Sequence, residues 1–182
     1  MAPAEDIRIR PARLDEREVL DALIARSARA LSAGWYEPAQ VEACLGSAFG
    51  VDTELIEDGS YLVAECDGAL AGCGGWSRRP TLFGADGRPD RLKGELDPAA
   101  DAAKIRAFFV DPAFARRGVG RAIYQACETA ARAHGFKAFE LMATLPGVPL
   151  YEALGFVGSA PVDHDLGGGV SIRFLPMRKD LA

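Results

Sequence analysis

The stretch from Phe108 to His134, FFVDPAFARRGVGRAIYQACETAARAH, constrains the fold more than any other part of the chain. It reads as strand, turn, glycine-rich loop and helix. Phe108, Phe109 and Val110 are apolar, two of them aromatic and one β-branched, which suits the end of a buried strand. Asp111-Pro112 stops that strand, because proline restricts its predecessor and has no N–H to offer. From Val119 the apolar residues fall at helical spacing: Val119, Ile123, Ala126 with Cys127, then Ala130. Arg121, Gln125, Glu128 and Arg132 take the opposite face, and Gly135 ends the helix. Arg116-Arg117-Gly118-Val119-Gly120 therefore sits at a helix N-terminus immediately after a strand.

That position attracts anions. The first turn of a helix leaves N–H groups unpaired and carries partial positive charge, and a phosphate answers both. Gly118 and Gly120 have no Cβ to hold a ligand away from the backbone, and Arg116, Arg117 and Arg121 add cationic side chains. A Walker loop is excluded, since Arg121-Ala122 follows Gly120 where Lys-Ser/Thr is required. A dinucleotide fingerprint is excluded too, because it needs Gly or Ala where Ile123 stands. For the loop taken alone, a helix entry with solvated arginines is the plain alternative.

The segment FFVDPAFARRGVGRA resembles the acyl-CoA-binding signature of the GNAT superfamily of N-acetyltransferases, in which Gln/Arg-x-x-Gly-x-Gly/Ala follows the fourth strand. Those positions fall on Ala115, Arg116, Arg117, Gly118, Val119 and Gly120, with Ala115 in place of the usual Gln or Arg. A second segment, Thr144 to Phe156, resembles the family's Asn-x-x-Ala-x-x-Phe/Leu-Tyr-x-x-x-Gly-Phe at the family's distance beyond the loop, with Thr144 replacing the common Asn. The match is strong from Ala103 to Phe156, and elsewhere it rests on element order.

The resemblance implies one α/β domain over residues 1–182. Its central sheet would be mixed but mostly antiparallel, with six to seven strands splayed between strands 4 and 5 and about four flanking helices. It implies direct transfer of an acyl group, usually acetyl, from acetyl-CoA to an amine of a small molecule or peptide. The amides from Arg116 to Ala122, with Val119, Gly120 and Arg121 among them, would hold the pyrophosphate. Backbone donors near Phe109 and Val110 would polarise the thioester, Thr144 would border the cofactor, and Tyr151 would protonate the leaving thiolate. Packing at a helix start is the alternative for Tyr151. Trp35, Tyr36, Trp76 and a lid-like insertion at 78–102 would border the acceptor, although core packing explains Trp76 equally well. Ala107 occupies the place where many members carry a Glu base. A water or backbone relay, or an acceptor of low pKa, is then expected, with Glu37, Glu65, Asp163 and His164 the side chains to test against that expectation. His164, flanked by two aspartates in a loop, reads equally as solvated. A second class of function is a catalytically silent acyl-CoA-binding module that senses the cofactor or regulates a partner; the presence of Tyr151 favours the enzyme.

Composition sets the outer limits. A chain of 182 residues with 49% hydrophobic and 26% charged residues suits one soluble globular domain. Net charge of -5 argues against nucleic-acid binding. No apolar run spans a bilayer and Met1 to Asp6 is no signal peptide, so the expected compartment is cytoplasmic, and monomer and homodimer stay open. Cys44, Cys66, Cys73 and Cys127 form no Cys-x-x-Cys pair and the 2 histidines are far apart, so buried reduced thiols and no metal are expected.

Before the signature, Ile7 to Arg10 alternates as a strand, and a helix from about Leu14 shows Val19, Leu20, Leu23, Ile24 and Leu31 as its apolar face. Pro38 to Leu45 reads as a second helix. Asp67-Gly68 between two strands predicts a hairpin with Cys66 opposite Ala69. Gly72, Gly74 and Gly75 weaken the returning strand and invite a ligand or another backbone. After the signature the pattern predicts a strand over Lys137 to Thr144, a short helix begun by Pro149, and two strands, one from Phe156 and one over Val170 to Arg178.

Overall fold

Ile7–Pro11 (β1) is an edge strand, as its alternation requires, and a 3-10 turn at Leu14–Glu16 leads into Arg17–Leu31 (α1). The structure is a computed structural model that describes residues 6–88 and 91–182. Met1 to Glu5, in the stretch expected to be no signal peptide, and Pro89, in the lid-like insertion, lie outside the described residues. α1 buries Leu20, Leu23, Ile24, Ser27 and Ala28. Val19 and Leu31, expected on that face, are exposed by 52% and 37%. Val19 is one residue, about 100° of helix, from the stripe, and small Ser27 and Ala28 take its place against the sheet. Pro38–Cys44 (α2) begins on its proline, with the Glu37 N–H donating to Gln40 Oε1 at 2.8 Å. Thr53–Glu57 (α3) was not evident in the sequence. Its first amide is satisfied from a distance, because Thr53 N–H donates to Asp86 Oδ1 at 2.8 Å.

Tyr61–Cys66 (β2) and Ala69–Ser77 (β3) form the expected hairpin, with Cys66 opposite Ala69. Asp67 (φ 50°) and Gly68 (φ 80°) both take the left-handed backbone that such a two-residue turn demands. Ala103–Val110 (β4) leads through a 3-10 turn at Pro112–Phe114 to Val119–Ala133 (α4). Ala138–Thr144 (β5), a 3-10 turn at Leu145–Gly147 and Val148–Ala153 (α5) follow. The C-terminal part holds three strands where two were expected: Val157–Gly158 (β6), Val162–Gly167 (β7) and Val170–Asp180 (β8). Pro161, with no N–H for a ladder, separates the first two.

The sheet runs β1-β2-β3-β4-β5-β8-β6, with β7 also on β8, and every pairing is antiparallel except β4 with β5. Eight strands and five α-helices among the described residues make the mixed sheet slightly larger than the sequence indicated. One face packs α1 to α3 over Val63, Cys73, Ile172 and Phe174. The other packs α4 and α5 over Ile105, Phe139, Leu141 and Met177. All four cysteines are buried free thiols, and burial pushes Cys44 and Cys73 up to about 12.

β4 and β5 are hydrogen-bonded neighbours only at their beginnings, Ala103 beside Phe139 and Lys104 beside Glu140. A 2.6 Å ion pair from Lys104 Nζ to Glu140 Oε2 closes that neck. Beyond it the strands part. The cause is visible on the β3 side of β4, where Arg106 pairs with Gly75 and Phe109 with Cys73, leaving Ala107 and Phe108 opposite Gly74 alone. This is a β-bulge, which bends its strand and sharpens the twist. Ala107 takes φ 52°, a left-handed conformation that costs a non-glycine residue about 1–2 kcal/mol. Two contacts hold it there. Tyr61 Oη donates to Ala107 O at 3.2 Å, and the Phe108 ring fills the place of Gly74's missing side chain. The glycines of β3 thus admit protein: a Cβ on Gly74 would stand 2.5 Å from Phe108, on Gly75 2.6 Å from Ser60 O, and on Gly72 2.8 Å from Val119.

The 78–102 segment has neither helix nor strand among its described residues, yet it is tied down. Arg79 pairs with Asp58 at 2.8 Å, Arg91 with Asp52 and Glu54 at 2.9 and 2.7 Å, and Ala85 N–H donates to Ser47 O at 2.6 Å. Its first half is a strap across the α1–α3 side of the sheet.

Replacing Gly74 by Ala should force the Phe108 ring out of its seat and cost about 1–3 kcal/mol of unfolding free energy, as overpacking does. Ala107→Gly, which removes the left-handed strain, should cost nothing. Urea unfolding of the two variants checks this; equal destabilisation of both would mean that the bulge is not held as described.

Candidate active site

Asp111 ends β4 and sets the direction in which the chain leaves it. Its carboxylate accepts from Ala113 N–H at 3.0 Å and from Arg26 at 2.8 Å, so the backbone turns at a fixed angle into the loop. Arg116 (φ 64°) and Gly118 (φ 84°) both take left-handed backbone before α4 begins. No described backbone carbonyl accepts from the N–H groups of Arg116, Gly118, Val119, Gly120 or Arg121. The loop is open at Gly118, where a Cβ would meet nothing within 4 Å, while Val119 and Gly120 are buried behind it. Ala122 is different, since its N–H is already given to Gly118 O at 3.0 Å. Gly120 also has a packing reason to lack a side chain: a Cβ there would stand 2.9 Å from Leu150 of α5. Of the arginines, Arg116 and Arg121 are exposed, while Arg117 donates to Ala113 O at 3.1 Å and lies over the Phe114 ring.

The parting of β4 from β5 opens a narrow cleft of about 60 Å³. Phe108, Leu141 and Tyr151 line it on the α4 side; Phe49, Phe83, Phe109, Met142 and Phe174 line it on the α1–α3 side. Backbone groups matter here as well. Asp111 N–H donates to Ala71 O at 2.9 Å, so the next pair along, Val110 with Gly72, is the non-hydrogen-bonded kind in an antiparallel ladder. The Val110 N–H therefore points away from β3, toward the gap. Phe109, paired with Cys73, turns its own N–H to β3 instead. The expectation of donors at both residues narrows to Val110.

Tyr151 is buried in the cleft wall, edge-on to Phe108 and Phe156 with ring centroids 6.3 and 5.7 Å away. Burial pushes its phenol well above the ordinary tyrosine value, so it keeps its proton throughout the neutral range. Thr144 ends β5 on the same wall; Gly147 leaves the room between them, since a Cβ there would stand 3.1 Å from Thr144 Oγ1 and 3.3 Å from the Tyr151 ring.

The three aromatic residues expected around the acceptor lie elsewhere. Trp76 is buried at the far end of β3, against His134 and Phe136 with centroids 4.9 and 6.0 Å away, which is the core-packing alternative. Trp35 is 52% exposed and is not part of the cleft wall. Tyr36 is buried, and its hydroxyl donates to Arg173 O at 2.6 Å while accepting from Leu145 N–H at 2.8 Å. Burial pushes its phenol up to about 12. It fastens the turn after Thr144 to β8 and so sets the cleft's far rim. The aromatic walls are phenylalanines instead. Phe49 and Phe83 come from segments with no local periodicity, Phe174 from the alternating strand β8, and only the tertiary fold assembles them.

Among the described residues no carboxylate or histidine lines the cleft. Glu65 is held by Arg10 at 2.8 Å, Glu37 sits at the cap of α2, and Asp163 is paired with Arg173 at 2.8 Å. His164 comes nearest, packed edge-on to Phe83 and stacked on Phe174 at centroid distances of 5.0 and 6.2 Å. Among the described residues no group of three or more His, Cys, Asp or Glu is placed to hold a metal, and no helix is long and apolar enough to cross a membrane.

Comparison with known proteins gives the family and the fold. The family model described as the Acetyltransferase (GNAT) family matches residues 24–156. An N-acetyltransferase from Rhodopseudomonas palustris superposes with a TM-score of 0.71 at 23% identity, over 96% of this chain and 95% of that one. The PaiA N-acetyltransferase of Thermoplasma acidophilum, solved in complex with coenzyme A, gives 0.64 at 16% identity over 96% and 99%. The yncA protein of Salmonella typhimurium, solved with its cofactor acetyl-CoA, gives 0.63 at 17% identity over 97% and 95%. No curated protein matches the sequence.

Tyr36→Phe should remove the acceptor of Leu145 N–H and the donor to Arg173 O, leaving two partly shielded backbone groups without this partner. A loss of about 1–3 kcal/mol is expected. Thermal unfolding measures it, and an unchanged midpoint would show that the bridge carries no stability.

Proposed function

Because the chain belongs to the GNAT acetyltransferase family, we propose that it moves an acetyl group from acetyl-CoA directly to an amine of a small molecule or peptide, in the cleft between β4 and β5. The observation that supports this most is one of placement. The buried Tyr151 lines the parting of the sheet, the Val110 N–H points away from β3, and Gly120 of the loop packs beside Val110 and Leu150, which supports reading them as one site. The two neighbours solved with coenzyme A or acetyl-CoA share this fold, which supports the cofactor assignment.

In this reading the pyrophosphate lies on the N–H groups of Arg116, Gly118, Val119, Gly120 and Arg121, with the exposed Arg116 and Arg121 side chains beside it. Arg117 adds charge from its station over Phe114, and Thr144 borders the pantetheine side of the cleft. The thioester carbonyl accepts from Val110 N–H, which stabilises the oxyanion as the amine nitrogen attacks the carbonyl carbon. When the tetrahedral intermediate collapses, the C–S bond breaks and Tyr151 Oη gives its proton to the leaving thiolate. The ammonium gives one proton to water before it attacks, because no carboxylate stands at Ala107 or elsewhere on the cleft wall among the described residues, and the second proton, shed by the nitrogen as the amide forms, returns through water to the Tyr151 oxygen. The strap at 81–84 roofs the acceptor side through Leu82, Phe83 and Gly84.

Two outcomes are expected. Gly118→Val should abolish coenzyme A binding in calorimetry by placing a branched side chain over the open amides, whereas Arg116→Ala should weaken it only modestly. Normal binding by Gly118→Val would remove the loop from the cofactor site. Tyr151→Phe should leave coenzyme A affinity intact and lower kcat by about 10²–10⁴, the usual contribution of a positioned acid. Full turnover in that variant would make Tyr151 a packing residue, and no turnover by either form with any amine would favour a silent cofactor-binding module.

A further inference from the structure

The acceptor side of the cleft offers a ligand almost nothing polar. Leu82, Phe83, Phe109 and Met142 are its larger partly exposed side chains, backed by the buried Phe49 and Phe174. Three of its main-chain carbonyls already accept from donors of the fold itself. Phe83 O accepts from Arg88 Nη1 at 2.7 Å, Gly84 O from Arg106 Nη2 at 2.6 Å, and Ala107 O from Tyr61 Oη at 3.2 Å. Arg106 gives the wall main chain only, since its side chain has no exposed surface. The hydroxyls of Thr144 and Tyr151 stand on the opposite wall, where the thioester is read to lie.

This surface has a chemical consequence. A charged group brought against it leaves water and gains no partner, which is the costliest kind of transfer. A hydrocarbon body gains by the same move. The reacting nitrogen obeys the rule as well, because apolar surroundings favour the neutral amine over the ammonium, and the neutral amine is the nucleophile. The wall thus supplies part of what a base at Ala107 would otherwise do.

We propose that the acceptor is a small apolar primary amine, with an alkyl or phenyl body and no second charge. Its body lies under the strap against Leu82, Phe83 and Phe109 while its nitrogen faces the thioester. This rests on the acetyl-transfer reading and narrows its acceptor. Polyamines, amino acids and peptide N-termini bring a further charge or unpaired peptide groups into the same space, and the proposal excludes them.

The test uses pentylamine, 1,5-diaminopentane and 5-aminopentanoate. These share a straight five-carbon body and a primary amine, and differ at the far end: methyl, ammonium or carboxylate. Phenethylamine and the neutral dipeptide amide glycylglycinamide complete the set. The dipeptide's amine is the least basic of the five, so ionisation alone would favour it. Binding is followed by calorimetry on the wild-type protein saturated with coenzyme A, and turnover with acetyl-CoA by released thiol. Pentylamine and phenethylamine should bind more tightly than the other three by about tenfold or more, with KM in the same order. Leu82→Glu places a carboxylate in the roof and should separate the two charged compounds, lowering Kd for the diamine and not for the aminopentanoate. Equal or tighter binding of the diamine, the aminopentanoate or the dipeptide amide by the wild type overturns the proposal. So does binding of none of the five, or a folded Leu82→Glu protein that treats the two charged compounds alike. The wild-type comparison decides even where the variant fails to fold. Failure of coenzyme A to bind the wild type would count against acetyl transfer itself, and the order of the amines would then be read by calorimetry on the protein alone.

Discussion

The proposed site depends on two parallel strands being joined for two residues and then separated. A parallel pair normally continues for the length of its strands, since each added residue contributes hydrogen bonds. Here the ladder ends at Lys104 and Glu140, and the bulge at Ala107 and Phe108 bends β4 toward β3. The unpaired backbone that results is a liability inside a core unless something else uses it. An incoming thioester would do so. The strain at Ala107 is retained because Tyr61 and Gly74 over-determine the backbone around it.

A second dependence runs through charge. The strap at 78–102 has neither helix nor strand among its described residues, and charged contacts replace the missing ladder: Arg79 with Asp58, Arg91 with Asp52 and Glu54, and Arg106 donating to Gly84 O. Several of these are well shielded from solvent, so salt screens them less than it would surface pairs. The wall of the cleft is consequently built by electrostatics on one side and by packed phenylalanines on the other. Such a wall is specific in shape without belonging to any secondary-structure element.

How much of this could be read in advance depends on whether an interaction is local in sequence. The helix from Val119, the hairpin at Asp67-Gly68 and the strands around them obey local rules, and their boundaries came within a residue or two. The glycine-containing turn before α4 was legible for the same reason. What escaped was assembled by the fold. α3 is capped by Asp86, 33 residues away in sequence. Trp76 looked like a wall of the acceptor site, but it caps the opposite end of the core against His134. Phe49 and Phe83 carry no pattern at all, and Phe174 is one step in the alternation of β8 whose place in the cleft only the fold reveals.

The buried thiols bear on how the chemistry can be observed. Cys44, Cys66, Cys73 and Cys127 are all inaccessible, and burial holds each thiol above its ordinary pKa. A disulfide reagent needs an exposed thiolate, so the native protein presents it with almost nothing to consume. Free coenzyme A does. A chromogenic disulfide added during the reaction would therefore count turnovers rather than enzyme molecules, and any slow rise in a no-substrate control would report unfolding.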